Sequence, residues 1–292
     1  METHLALHAI LIPALVVTAA CAASRFVPYL RRLTPWLVAL GLAAVAVRAA
    51  VVQEGSGILS RWPPTTVWLT APACVAAVGI VAGLLSFASL RGEERGGLFA
   101  GLGAALVAGG VVLYLLKVPG ESTAPALART AILGTLIVAV LATSRVVGTS
   151  IFLSLAFPLA ALAGLLILSG SAKLAITAGA VAFATGLLGL AALPLRIPLG
   201  VGGVATVTVA SLALAAEGKA YDYDSFPRWV WLLPVVAPVA GIVADLPIVR
   251  LLPGPVRFLV RIGPPLVVAI AAVILAAWYA GKFGPAEANP YG

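Results

Sequence analysis

Long apolar runs alternate with short polar stubs along the whole chain. The runs show neither the strict alternation of a half-buried strand nor the single apolar stripe of a water-facing helix. A helix that crosses a bilayer needs about 20 consecutive, mostly apolar residues. The pattern predicts ten such segments: Leu5–Ala23, Pro35–Val52, Val67–Leu90, Leu98–Val118, Ala128–Thr143, Ile151–Ser169, Leu174–Leu195, Pro198–Ala216, Trp229–Val249 and Ile262–Ala280. The expected fold is therefore all-α, a polytopic membrane bundle forming one domain over residues 1–292, with connections too short to fold alone. Ala128–Thr143 is the shortest run, and Ser144-Arg145 follows it at once. Read as re-entrant, it would leave nine spans and place the termini on opposite sides. Only Arg196-Ile197 separates the runs on either side of it. A tight helical hairpin with Pro198 opening the second arm is the simplest account.

Composition agrees with this layout. Hydrophobic residues make up 62% and charged residues 10% of the 292 positions, against about 25% charged in an ordinary soluble domain. The mean hydropathy is +1.13. A soluble enzyme, a disordered chain and a disulfide-stapled secreted domain are excluded, because one water-soluble core cannot hide so much apolar surface.

The net charge of +8 comes from basic residues scattered singly or in pairs between the runs. It forms no groove for nucleic acid and reads instead as orientation by the positive-inside rule. With the amino terminus outside, the inner connections carry Arg25, Arg31, Arg32, Arg91, Arg95, Arg145, Arg196, Arg250, Arg257 and Arg261, while Glu2, Glu54, Glu121, Glu217, Asp222, Asp224 and Glu287 fall outside. Both termini are then extracytoplasmic. Met1–His8 lacks the basic residues that open a secretory signal, so the first run reads as a retained span. The preference for Arg over Lys suits a GC-rich bacterial genome and a plasma-membrane location.

The residues that carry chemistry are few. Cys21 and Cys74 lie in apolar runs with no ligand spacing around them and read as buried free thiols. His4 and His8, the only histidines, share a helix face and read as polar residues of an interfacial first turn. There is no phosphate loop, nucleotide fold, Ser-His-Asp set or zinc spacing, so no cofactor is expected. No Asp, Glu, Lys or His falls at the centre of a run, which argues against pumps built on midplane carboxylates. Arg48 lies near the outer end of the second run and can snorkel to the headgroups. Asp245 lies near the inner end of the ninth, within reach of Arg250. Each marks an interface anchor or a substrate pathway, but at opposite faces.

Two polar stretches stand out. In Glu217–Trp231, Asp222 and Asp224 alternate with Tyr221 and Tyr223. An Asp-x-Asp pair can hold a divalent cation bridging a diphosphate, while tyrosines and tryptophans at span edges form an aromatic belt at headgroup depth. In Arg250–Arg261, the arginines and aliphatic residues suit a short helix lying in the inner interface, turned to lipid phosphates. The ten runs divide naturally into halves, 1–147 and 148–292, although no word of sequence is duplicated.

Three function classes follow. The first is a permease for a small uncharged or amphiphilic solute, with Thr206 and Thr208, together with Thr70 and Ser86, lining its path. The second is a non-catalytic membrane subunit or scaffold. The third is a metal-dependent lipid-linked transferase using Asp222 and Asp224. The partners expected are membrane lipids and either a second copy or another membrane protein.

Overall fold

The computed structural model describes residues 7–27, 30, 33–54, 70–88, 149–195, 197, 200–222 and 226–281. Among the described residues every regular element is helical and none is a strand. In chain order they are α1 (Leu7–Phe26, whose first turn Leu7–Leu11 is a π-helix), α2 (Thr34–Glu54), α3 (Thr70–Ala88), α4 (Thr149–Leu168), α5 (Ala172–Leu195), α6 (Gly200–Tyr221), α7 (Arg228–Ala240), α8 (Pro247–Arg250) and α9 (Gly254–Tyr279). Helix is the natural answer to these sequences in lipid, because each backbone N–H finds its acceptor within its own segment. Of these, α1, α2, α4, α5 and α9 are the 5 long and apolar enough to cross a membrane by length and composition. The predicted segments Leu98–Val118 and Ala128–Thr143 lie outside the described residues.

The ninth run differs from its prediction. Rather than one helix over Trp229–Val249, α7 stops at Ala240 and gives way to a 3₁₀ turn, Gly241–Asp245, and then to α8. Pro234 and Pro238 are carried inside α7, whereas Pro247 sets the restart: the residue before a proline is pushed out of helical conformation, and Leu246 stands at ψ 142°. The eighth run begins at Gly200 and continues past Ala216 to Tyr221, so that Glu217 and Tyr221 belong to a helix rather than a loop.

The hairpin between α4 and α5 is closed by Gly170. Its φ of 81° lies in the left-handed region, where a side chain would be strained. Ser171 donates its N–H to the Leu166 carbonyl at 2.8 Å, and Gly170 donates to Ile167 at 3.0 Å. This pair of bonds satisfies carbonyls that a helix end leaves without partners.

Side-chain contacts fix the direction of each helix. Lys173, at the start of α5, pairs with Glu54, at the end of α2. Ala71, opening α3, meets Glu217, near the end of α6. Trp229, opening α7, lies edge-on to Tyr279, ending α9, with ring centroids 6.4 Å apart. These contacts form one end of the bundle. At the other end the Arg25 side chain donates to the Leu195 carbonyl at 3.1 Å, Ser24 shares a hydrogen bond with Thr34, and Gly241 abuts the Arg261 carbonyl. Neighbours in sequence therefore run antiparallel. The start of α1 and the end of α9 fall at the same end, and so do the end of α3 and the start of α4.

At the centre stands α6, packed against α2, α3, α4, α5 and α7. Gly202 to Ala215 are buried throughout, as expected of a helix that is apolar on every side. Around it the core is built from Leu, Val and Ala, with Phe152, Phe226 and Trp231 as its large aromatic members.

Candidate functional site

The last turns of α6 hold a cluster with two buried carboxylates, Glu217 and Asp222. The apolar run 204–216 contains no Gly or Pro, so the helix continues through Glu217 and brings it inside. Glu217 is 3% exposed. Its Oε1 accepts the backbone N–H of Ala71 at 2.6 Å, one of the donors that the start of α3 cannot satisfy internally. The carboxylate thereby caps a neighbouring helix at its positive end.

One turn onward, Asp222 leaves α6 and is also buried. Its Oδ2 accepts the Phe226 N–H at 3.0 Å and the Trp231 indole Nε1–H at 3.1 Å, with Lys219 Nζ 4.0 Å away. The aspartate thus ties the end of α6 to the start of α7. Trp231 passes directly over Gly218, where an added Cβ would sit 2.4 Å from Cζ3 of the ring and 2.6 Å from Leu166 Cδ2. Glu217, Gly218, Asp222 and Trp231 therefore make one contiguous joint among α3, α4, α6 and α7.

The other predicted residues are distributed as follows. Tyr221 packs against the core and lines a hollow of about 460 Å³ with Ser169, Ser171 and Lys173. Tyr223 and Asp224 lie outside the described residues, and so does His4. Thr206 is fully buried and donates to the Gly202 carbonyl at 2.8 Å. Thr208 is buried with no hydrogen-bond partner for its hydroxyl. Arg48 sits on an exposed face of α2, where snorkelling is open to it. Asp245 closes the 3₁₀ turn, and its side chain is outside the described set. Cys21 and Cys74 are both buried free thiols. Among the described residues no three His, Cys, Asp or Glu side chains converge as metal ligands.

Sequence reasoning missed the burial of Glu217 and the role of Trp231. No periodic signal marked that burial, because α6 is apolar on every side and Gly202 to Ala215 are buried on all faces. A second hollow, of about 430 Å³, lies between α4 and α5 and is wholly apolar in its lining, which includes Ala156, Phe157, Gly179, Phe183 and Gly186.

The chain matches no protein-family model, no curated protein and no solved structure. Its several long apolar helices are consistent with a membrane protein.

Proposed function

We propose that the chain is a non-catalytic membrane subunit or scaffold of ten spans, set in a bacterial plasma membrane with its arginine-bearing end inside. The carrying observation is the state of α6. Two of its three buried hydroxyl side chains turn back on their own helix: Thr206 donates to Gly202 and Ser211 to Val207. The two buried carboxylates, Glu217 and Asp222, accept backbone and indole N–H groups that join helices. These groups brace a packed interior, and a permease would turn them toward a path. The antiparallel order supports the even span count. Ala88 and Thr149 stand at one end of the bundle, which fits two crossings in the sequence between them.

Co-purification of the tagged full chain from native membranes tests this reading. A membrane partner recovered at fixed stoichiometry, and lost from the membrane when the chain is deleted, is the expected result. A chain that purifies alone and conducts solute flux in proteoliposomes would overturn it.

The permease reading is favoured by one observation, the Thr208 hydroxyl, which is buried without an acceptor in α6. A solute path through the bundle would give it a partner. Solute flux abolished by Thr208→Val would establish that reading.

A further inference from the structure

The joint between α7 and α9 carries an exposed aliphatic surface. Trp229 and Tyr279 set the two helices level at one end. From there α9 runs back over 26 residues, about 39 Å at the α-helical rise. The hydrocarbon layer is only about 30 Å thick. The turn that joins α8 to α9 therefore lies at the opposite headgroup layer. There Leu251 is 86% exposed, Ile248 79% and Leu259 65%, with Leu246 and Val256 beside them. Side chains of this kind are costly in water and sit poorly among headgroups unless acyl chains receive them.

The charge of the segment names the receiver. Arg250 and Arg257 fall within it, Arg261 follows directly, and no Asp or Glu occurs from 246 to 281. Arg261 is buried, whereas Arg257, one turn earlier on the same face, is only partly covered at the edge of the bundle. Arg25, held to the Leu195 carbonyl, adds charge at the same end. Aliphatic side chains level with the partly covered Arg257 match an anionic phospholipid, whose phosphate meets guanidinium while its chains cover the leucines.

We propose that Leu246–Leu259 is a binding surface for anionic phospholipid, with Arg257 on the lipid phosphate and Ile248, Leu251 and Leu259 against the acyl chains. Native mass spectrometry of the purified full chain tests it, with phosphatidylglycerol and phosphatidylcholine of identical acyl chains as probes. The wild type retains phosphatidylglycerol preferentially. Arg257→Gln lowers that preference by about fivefold, the worth of one basic residue beside an anionic surface, while Arg257→Lys keeps most of it at unchanged helix content. Equal retention of the two lipids by the wild type, or full preference in Arg257→Gln, would overturn the proposal. A photo-reactive residue at position 251 provides an independent reading in native membranes. Lipid adducts support the assignment, and adducts to a protein in their place refute it.

Discussion

The carboxylate of Glu217 on α6 holds the backbone N–H of Ala71 on α3 at 2.6 Å, across 146 positions of sequence. A charged side chain thereby performs a task usually left to a local capping residue. Helix α3 opens Thr70-Ala71-Pro72, and the distant glutamate satisfies a donor in that first turn. Glu217→Ala leaves a buried N–H without its acceptor and should cost about 1–3 kcal/mol. Glu217→Gln, which keeps an acceptor oxygen, should cost less. Thermal unfolding in one detergent, followed by circular dichroism, ranks the two.

Asp222 and Trp231 should be energetically coupled. The Oδ2 atom serves both the Phe226 N–H and the Trp231 indole, so Asp222→Ala removes two charge-assisted bonds, each worth about 1.5–3 kcal/mol. Trp231→Phe removes one of them. In a double-mutant cycle the pair should show a coupling of about 1 kcal/mol or more. Strict additivity would mean that the indole bond contributes nothing.

Two glycines should respond with opposite sign. An alanine at Gly218 meets Trp231 and Leu166 inside van der Waals distance, and overpacking of this kind costs about 1–3 kcal/mol. An alanine at Gly179 meets nothing within 4 Å, so Gly179→Ala should be neutral or stabilising by up to about 1 kcal/mol through helix propensity. The shift in melting temperature of each variant decides the matter.

Labelling should divide the bundle into two ends. Cys21 and Cys74 are buried, so the folded wild type should react slowly with a membrane-impermeant maleimide. On a background lacking both, Glu54→Cys, Lys173→Cys and Tyr279→Cys should label from one face of sealed vesicles. Leu251→Cys and Gly254→Cys should label from the other. Any exchange of members between the two sets would contradict the helix directions given by the Lys173–Glu54 pair and the Trp229–Tyr279 contact.

Most of the helical architecture was legible because lipid leaves the backbone few choices. The hairpin of α4 and α5 could be read from its apolar runs and the Ser169-Gly170-Ser171 break. The first described helices lie where their runs predicted. What the pattern did not reveal depends on which helix meets which. Hydropathy counts Glu217 as polar and assigns it to a loop, whereas the fold supplies a helix start to receive it. Asp222 stands in an Asp-x-Asp stretch that suits either an aromatic belt or a cation, and the pattern did not reveal that the turn after it returns Phe226 and Trp231 to its carboxylate. The interruption before α8 was foreshadowed by Pro247, yet run length alone made the segment look continuous.

The enclosure of α6 bears on how the protein is made. During synthesis α2, α3, α4 and α5 leave the ribosome before it, and α7 comes after. The earlier helices must wait in the bilayer around a socket that their later neighbour fills. The packing among them is therefore completed only when α6 arrives, and a chain stopped before Gly200 would leave uncovered the surfaces of α2, α3, α4 and α5 that α6 packs against.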